Sequence, residues 1–144
     1  MKRHCADITE RILACAFDVH ARLGAGLLES SYKTCLQHRL NREGFRIDSE
    51  VPIPVVFDGT TIEGAYRADL IVNEMVLLEL KSVERLLPIH LSQILTYIKH
   101  ADLPVGLLLN FNVQRLRDGI RRIDNRTFDH DALSRLPRLV LPGR

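Results

Sequence analysis

One stretch constrains the fold of this 144-residue chain more than any other: Ala68 to Ser82, reading Ala-Asp-Leu-Ile-Val-Asn-Glu-Met-Val-Leu-Leu-Glu-Leu-Lys-Ser. Two apolar runs, Leu70–Val72 and Met75–Leu80, flank an Asn73-Glu74 break, and asparagine tolerates the left-handed backbone of a tight turn. The pattern predicts a β-hairpin. Glu79 and Lys81 are two residues apart, so on a strand they share one face while Leu80 points to the other. A three-residue loop (Asn73, Glu74, Met75) sets Asp69 opposite Glu79, with Cβ atoms roughly 5 Å apart. A two-residue loop shifts the register by one and separates them. In the first register two carboxylates and an ammonium share an otherwise apolar patch, which is costly without compensation. A divalent cation is the compensation such a patch calls for.

The length fits a single domain, residues 1–144, with a sizeable core and a C-terminal tail from about 127. No apolar run approaches the ~20 residues of a membrane span. The start, Met1-Lys2-Arg3-His4-Cys5, lacks the core of a signal peptide, so a cytoplasmic protein with no membrane partner is expected. Cys5, Cys15 and Cys35 are odd in number, scattered and without a C-x-x-C pair, which predicts reduced thiols and neither disulfide nor zinc. A net charge of +2 announces no nucleic-acid partner by itself. Its distribution says more: residues 113–144 hold eight arginines against four aspartates, a net of +4, and the first 112 residues carry a net of −2. Such an end suits phosphate contacts, or simply a solvated surface.

Asp7–Leu23 reads as a helix, with Asp7-x-x-Glu10 in capping-box form and Ile8, Ile12, Cys15, Ala16, Val19 and Leu23 on one stripe. After Gly24-Ala25-Gly26 a second helix is predicted from about Leu28 to Glu43, with Leu28, Tyr32, Cys35, Leu36 and Leu40 as its stripe. His20 and His38, on these helices, lack metal-ligand spacing and read as surface or partly buried side chains. Phe45–Phe57 contains Pro52 and Pro54, so it reads as an edge or irregular strand. Asp58-Gly59 is a turn, and Thr60–Val72 returns as the next strand. Met75–Val83, a helix over Leu86–Ala101 and the continuous apolar run Leu103–Phe111 then form a β-α-β crossover with parallel strands. Gln114–Ile123 fits either a short strand or a helix, and Pro137–Arg144 reads as a loose end.

Carboxylates such as Asp69 and Glu79 suit Mg²⁺ or Mn²⁺, and with one backbone carbonyl they leave room for water and a phosphate oxygen. A metal lowers the pKa of its water, and Lys81 stands where it can orient the attacking hydroxide. Taken alone, Glu79-x-Lys81 also fits an ordinary surface pair. Gln93 and Tyr97 lie one helical turn apart beside the apolar stripe, as phosphodiester contacts or as a solvated amide and a boundary aromatic. Glu29, in a first helical turn, is favoured there by the helix dipole whatever else it does. Gly26, Glu29 and Tyr32 nevertheless recur at three-residue intervals, which lets one helix face turn Glu29 and Tyr32 toward the sheet.

Gly26-x-x-Glu29-x-x-Tyr32 resembles the signature of the GxxExxY protein family. Asp69, then Glu79-x-Lys81, then Gln93-x-x-x-Tyr97 resemble the PD-(D/E)xK nuclease superfamily, with the Q-x-x-x-Y element of its exonuclease-like and recombination-nuclease-like branches. The resemblance spans about Ile8 to Ile123; Ala68 stands where the superfamily often has proline. It implies a restriction-endonuclease-like, three-layer α/β/α core around a central mixed sheet. It implies Asp69, Glu79, the Leu80 carbonyl and Glu29 as ligands of Mg²⁺ or Mn²⁺, and Lys81 as the catalytic lysine. Gln93, Tyr97 and Tyr32 would support the substrate or the lysine. The implied reaction is hydrolysis of DNA by in-line water attack, leaving a 5′-phosphate. Two other readings stay open: a non-catalytic nucleic-acid-binding or protein-interaction module with the same fold, and a hydrolase of small phosphorylated substrates. A core this small calls for self-association or a partner subunit to grip DNA.

Overall fold

The computed structural model describes residues 2–128, and the side chains from Cys5 onward. The chain runs α1 (Lys2–Leu23), α2 (Glu29–Arg42), β1 (Ile47–Phe57), β2 (Thr60–Val72), β3 (Val76–Lys81), α3 (Pro88–Ala101), β4 (Val105–Asn110), a 3-10 turn (Leu116–Gly119) and β5 (Ile120–Asp124). Among the described residues the strands form one mixed sheet in the order β1-β2-β3-β4-β5. Only β3 and β4 run parallel, with Val76 opposite Val105 and Lys81 opposite Asn110. That pair, joined through α3, is the expected crossover.

Two apolar layers sandwich the sheet. On one face Ile8, Ile12, Leu36 and Leu40 from α1 and α2 pack against Leu78, Leu80, Leu107 and Leu109. On the other, Ile94 and Ile98 of α3 pack against Val51, Ile71, Leu77 and Leu108. Each of these side chains is out of water, and burying a large aliphatic group is worth about 1.5–3 kcal/mol. β4 is buried at every position because it is covered on both faces, as its unbroken apolar run predicts. Gly106 lies where α3 comes closest: a Cβ there would stand 2.5 Å from Ile94 Cγ2.

Several local expectations are corrected. α1 begins at Lys2, so Asp7 is an exposed interior residue and the Asp7/Glu10 capping box does not form. Nothing breaks the helix before Asp7, and buried Cys5 carries the apolar stripe one turn further back. Leu28 caps α2 and is 75% exposed, outside the stripe assigned to it. His20 is buried, its Nε2 2.8 Å from the Val113 carbonyl oxygen. The ambiguous Gln114–Ile123 segment is both things in turn, a 3-10 turn and then β5. The expected tail from about 127 falls almost wholly outside the described residues. Among the described residues no helix is long and apolar enough to cross a membrane.

β1 is an edge strand, as Pro52 and Pro54 require, since neither can donate to a neighbour. Its register with β2 shifts between Ile53 and Val55, and beyond that irregularity every residue from Val56 to Ala65 is exposed. The hairpin turn uses Asp58 at φ 51° and Gly59 at φ 75°, the left-handed pair that a two-residue connection needs.

Candidate active site

The geometry at the sheet's centre starts with the β2–β3 turn. Asn73 and Glu74 both take left-handed backbone, at φ 51° and 56°, and the Met75 amide donates to the Val72 carbonyl at 3.0 Å. Asn73 is held twice more: its amide donates to the Arg46 carbonyl, and its Oδ1 accepts the Arg46 amide, each at 2.9 Å. The loop is the three-residue one, so Val72 pairs with Val76 and Leu70 with Leu78.

One step beyond Leu70, side chains take over from the backbone ladder. The Asp69 amide donates to Glu79 Oε1 at 3.0 Å, and the Leu80 amide donates to Asp69 Oδ2 at 2.9 Å. Each carboxylate thereby satisfies a backbone donor on the opposite strand, which locks the pair across the hairpin. Leu78 and Leu80 face α1 and α2, so Glu79 and Lys81 share the face of Leu77, toward α3. Glu79 is 8% exposed and Lys81 partly exposed, which places the acid inside and the ammonium at the rim.

Electrostatics mark the same spot. Loss of water and then the neighbouring Asp69 charge push the Glu79 carboxyl up to about 8, against the ordinary 4.5. Burial also raises Asp69, opposed by the Leu80 amide and by the Lys33 and Lys81 charges. Glu29 is raised by partial loss of water and by Asp69, with Lys81 and Lys33 opposing. These shifts place Glu29, at the start of α2, within the field of the hairpin charges. Lys33, one turn along α2, also forms an ion pair with Glu50 of β1.

The supporting residues divide. Tyr97 stacks on Tyr66 with centroids 4.0 Å apart, and its phenol is raised by burial and then by the Glu79 and Asp69 charges, which puts it within the field of the acids. Gln93 is partly buried and makes no side-chain hydrogen bond among the described residues. Tyr32 is fully buried, stacked on Phe111 at 4.6 Å. Its hydroxyl donates to the Gly24 carbonyl at 2.6 Å and accepts the Leu27 amide at 3.1 Å. Tyr32 therefore braces the Gly24–Leu28 loop, and Glu29 alone of that motif reaches the charged group.

A cavity of about 360 Å³ opens at Lys81, with Leu27, Leu28, Glu29, Ser82 and His90 among its walls, while Asp69 and Glu79 do not line it among the described residues. A larger one of about 500 Å³, around Cys5, Val105 and Arg122, lies at the other end of β4, away from the acids. Three residues that build the site escaped sequence reasoning. Ser82 Oγ donates to the Leu27 carbonyl at 2.7 Å, tying the loop to β3. His90 Nδ1 accepts the Leu87 amide at 3.0 Å. Asn110, 1% exposed, accepts the Val83 amide at 3.1 Å and donates to its carbonyl at 3.0 Å, fixing the chain beyond Lys81. Its signal was available: a lone amide inside the apolar run Leu103–Phe111.

Among the described residues no three acidic, histidine or cysteine side chains form a ready cation cage. The donor chemistry at Asp69 and Glu79 nevertheless fits a hard divalent cation. Two adjacent carboxylates are both held above their usual range, and positive charge between them relieves burial and repulsion together. No curated protein and no solved structure matches the chain. A family model does, over residues 6–123, from the first turns of α1 through most of β5. A match over that much of the chain, on a mixed sheet between helical layers, makes this protein a member of the PD-(D/E)XK nuclease superfamily.

Proposed function

We propose that this chain is a metal-dependent nuclease that hydrolyses phosphodiester bonds in DNA, with Asp69, Glu79, Lys81 and Glu29 as its working residues. The observation that carries the reading is the Asp69–Glu79 pair, cross-bonded to the opposite strands at 3.0 and 2.9 Å and two residues from Lys81. Asp69 and Glu79, with the Leu80 carbonyl and Glu29, would hold Mg²⁺ or Mn²⁺, which supplies an acidified water and a counter-charge for the phosphate. The chain's own contribution is positioning. The cross-strand bonds fix both carboxylates before substrate arrives. Lys81, at the rim, offers three N–H donors to the attacking water and the phosphate oxygens. Burial and the acids' charge keep the Tyr97 phenol protonated, a donor within the carboxylates' field, and Gln93 one turn earlier has its amide free to bind substrate. The GxxExxY assignment belongs to the same proposal, supported by Glu29 at the cavity and Tyr32 bracing its loop.

A second reading, a binding module that keeps the nuclease fold, is favoured by one fact: the acids already spend oxygens on backbone amides, and no three-ligand cage stands ready. Linear, circular and single-stranded DNA, and RNA, incubated with Mg²⁺, Mn²⁺ or EDTA separate the two. Wild type is expected to cut DNA with either metal and not in EDTA, and Lys81→Ala to lose about 10²-fold or more. Binding without cutting by wild type would select the module. Equal cutting by both proteins would remove Lys81 from the mechanism.

A further inference from the structure

We propose that the lip of the cavity between Glu29 and Lys81 is a platform for an unpaired nucleobase, so that the substrate class of this site is single-stranded nucleic acid or an unpaired end. The inference rests on the nuclease reading above. Exposed aliphatic side chains scattered singly need no explanation, but here one exposed pair lines a cavity and a second pair lies just before another of its wall residues, His90. Leu27 and Leu28 are 40% and 75% exposed on the loop before α2, and both line the cavity. Leu87, the cap of α3, and Ile89, in its first turn, are 43% and 56% exposed and precede His90, which lines the same cavity.

The loop before α2 and the start of α3 are both fixed at the backbone. The Tyr32 hydroxyl holds Gly24 and Leu27, the Ser82 hydroxyl holds the Leu27 carbonyl, and His90 holds the Leu87 amide. The apolar side chains are thus presented to solvent on an ordered base, which is what a low-cost contact surface requires. With Nδ1 of His90 accepting the Leu87 amide, the ring's remaining donor is Nε2, a partner for a phosphate oxygen.

The occupant follows from what shares the cavity. A nucleotide joins a charged phosphate to a flat apolar ring, and the walls set Lys81 and His90, together with the metal-ligand candidate Glu29, beside the aliphatic Leu27 and Leu28. In a duplex the base faces are stacked inside, and only phosphates and groove edges reach a protein. An unpaired base offers its face. Duplex grip rests on phosphate contacts, commonly about 6–10 of them, whereas among the described residues Lys81 is the one lysine or arginine in the cavity's walls. The lip therefore favours a strand whose base has left its stack.

Binding and cleavage are read separately. Lys81→Ala, with Mg²⁺, is titrated by fluorescence anisotropy with a short labelled single strand and with the same strand as a blunt duplex. The single strand is expected to bind about tenfold tighter. Adding Leu28→Ser and Ile89→Ser should erase that margin and leave duplex affinity unchanged. Both positions are exposed, so thermal melts should confirm an intact fold. Equal affinities, as a lip used by a protein partner would give, or a margin that survives the serines, overturn the platform. Wild type that cuts duplex and single strand alike overturns the substrate class and leaves the nuclease reading standing. Wild type that cuts neither, yet keeps a serine-sensitive margin, overturns the nuclease reading and leaves the platform.

Discussion

Replacing Glu79 by glutamine should make the metal-free protein more stable, and increasingly so as pH rises. In the folded state the Glu79 carboxyl is pushed up to about 8, against 4.5 in an unfolded chain. Its raised value means that the folded protein keeps a proton which the unfolded chain releases. The stabilisation is full below about 4.5 and is lost as pH climbs to about 8. At about 1.4 kcal/mol per pH unit that interval amounts to at most about 5 kcal/mol, and water entry with relaxation at Lys81 reduces it to about 2–3 kcal/mol. Glutamine carries no charge to bury and keeps an oxygen for the Asp69 amide. In EDTA, melting temperatures followed by circular dichroism should therefore coincide near pH 5. By pH 8.5 the variant should melt about 6–9 °C above wild type, at about 3 °C per kcal/mol for a chain of this size. Mn²⁺ should then raise wild type and leave the variant nearly unmoved. A variant weaker than wild type by the same amount at every pH would show that the hydrogen bond, not the buried charge, governs this position. Mn²⁺ stabilising both equally would place the cation elsewhere.

Gly106→Ala should cost about 1–3 kcal/mol in chemical denaturation, because its Cβ would meet Ile94 Cγ2 at 2.5 Å and Ile98 Cγ2 at 3.1 Å; unchanged stability would mean α3 can move off the sheet freely. Tyr32→Phe keeps the stack on Phe111 but strips the hydroxyl from Gly24 and Leu27. It should lower stability by about 1 kcal/mol and raise KM more than it lowers kcat; a pure kcat loss would make the hydroxyl part of the chemistry. Asn110→Ala leaves the Val83 amide and carbonyl without their partner and should cost about 2–3 kcal/mol, read as a lowered urea midpoint. Amide exchange at Val83 should quicken in the same variant, and an unchanged rate would show that Asn110 does not hold this loop.

The elements were legible where local chemistry and periodicity agree. The α1 and α2 stripes, the Asp58-Gly59 turn and the prolines of an edge strand each depend on a few neighbouring residues, and they carry their meaning in any context. The order Asp69, Glu79, Lys81 was equally visible. Helix ends were less so: Asp7 offered a cap that α1 ignores, because the apolar stripe continues to Cys5 and burial outweighs a first-turn preference. Leu28 and Tyr32, four apart on one expected stripe, part company at the cap, one facing solvent and the other buried on Phe111.

By itself, then, the sequence determined the two hairpins and the β-α-β crossover, though not β5 and its place beside β4, and that charges of both signs fall at the end of a buried hairpin. Only the tertiary structure decided between the two hairpin registers, through Asn73 and Glu74 in left-handed backbone and Asn73 bonded to Arg46, 27 residues away in sequence. It alone brought Glu29 into the field of Asp69 and used Ser82, His90 and Asn110 to fix the loops around Lys81. The physical reason is range. Periodicity and turn preference act over a few residues, whereas a buried charge, a cross-strand hydrogen bond and a cavity wall depend on segments that meet only after the sheet has assembled.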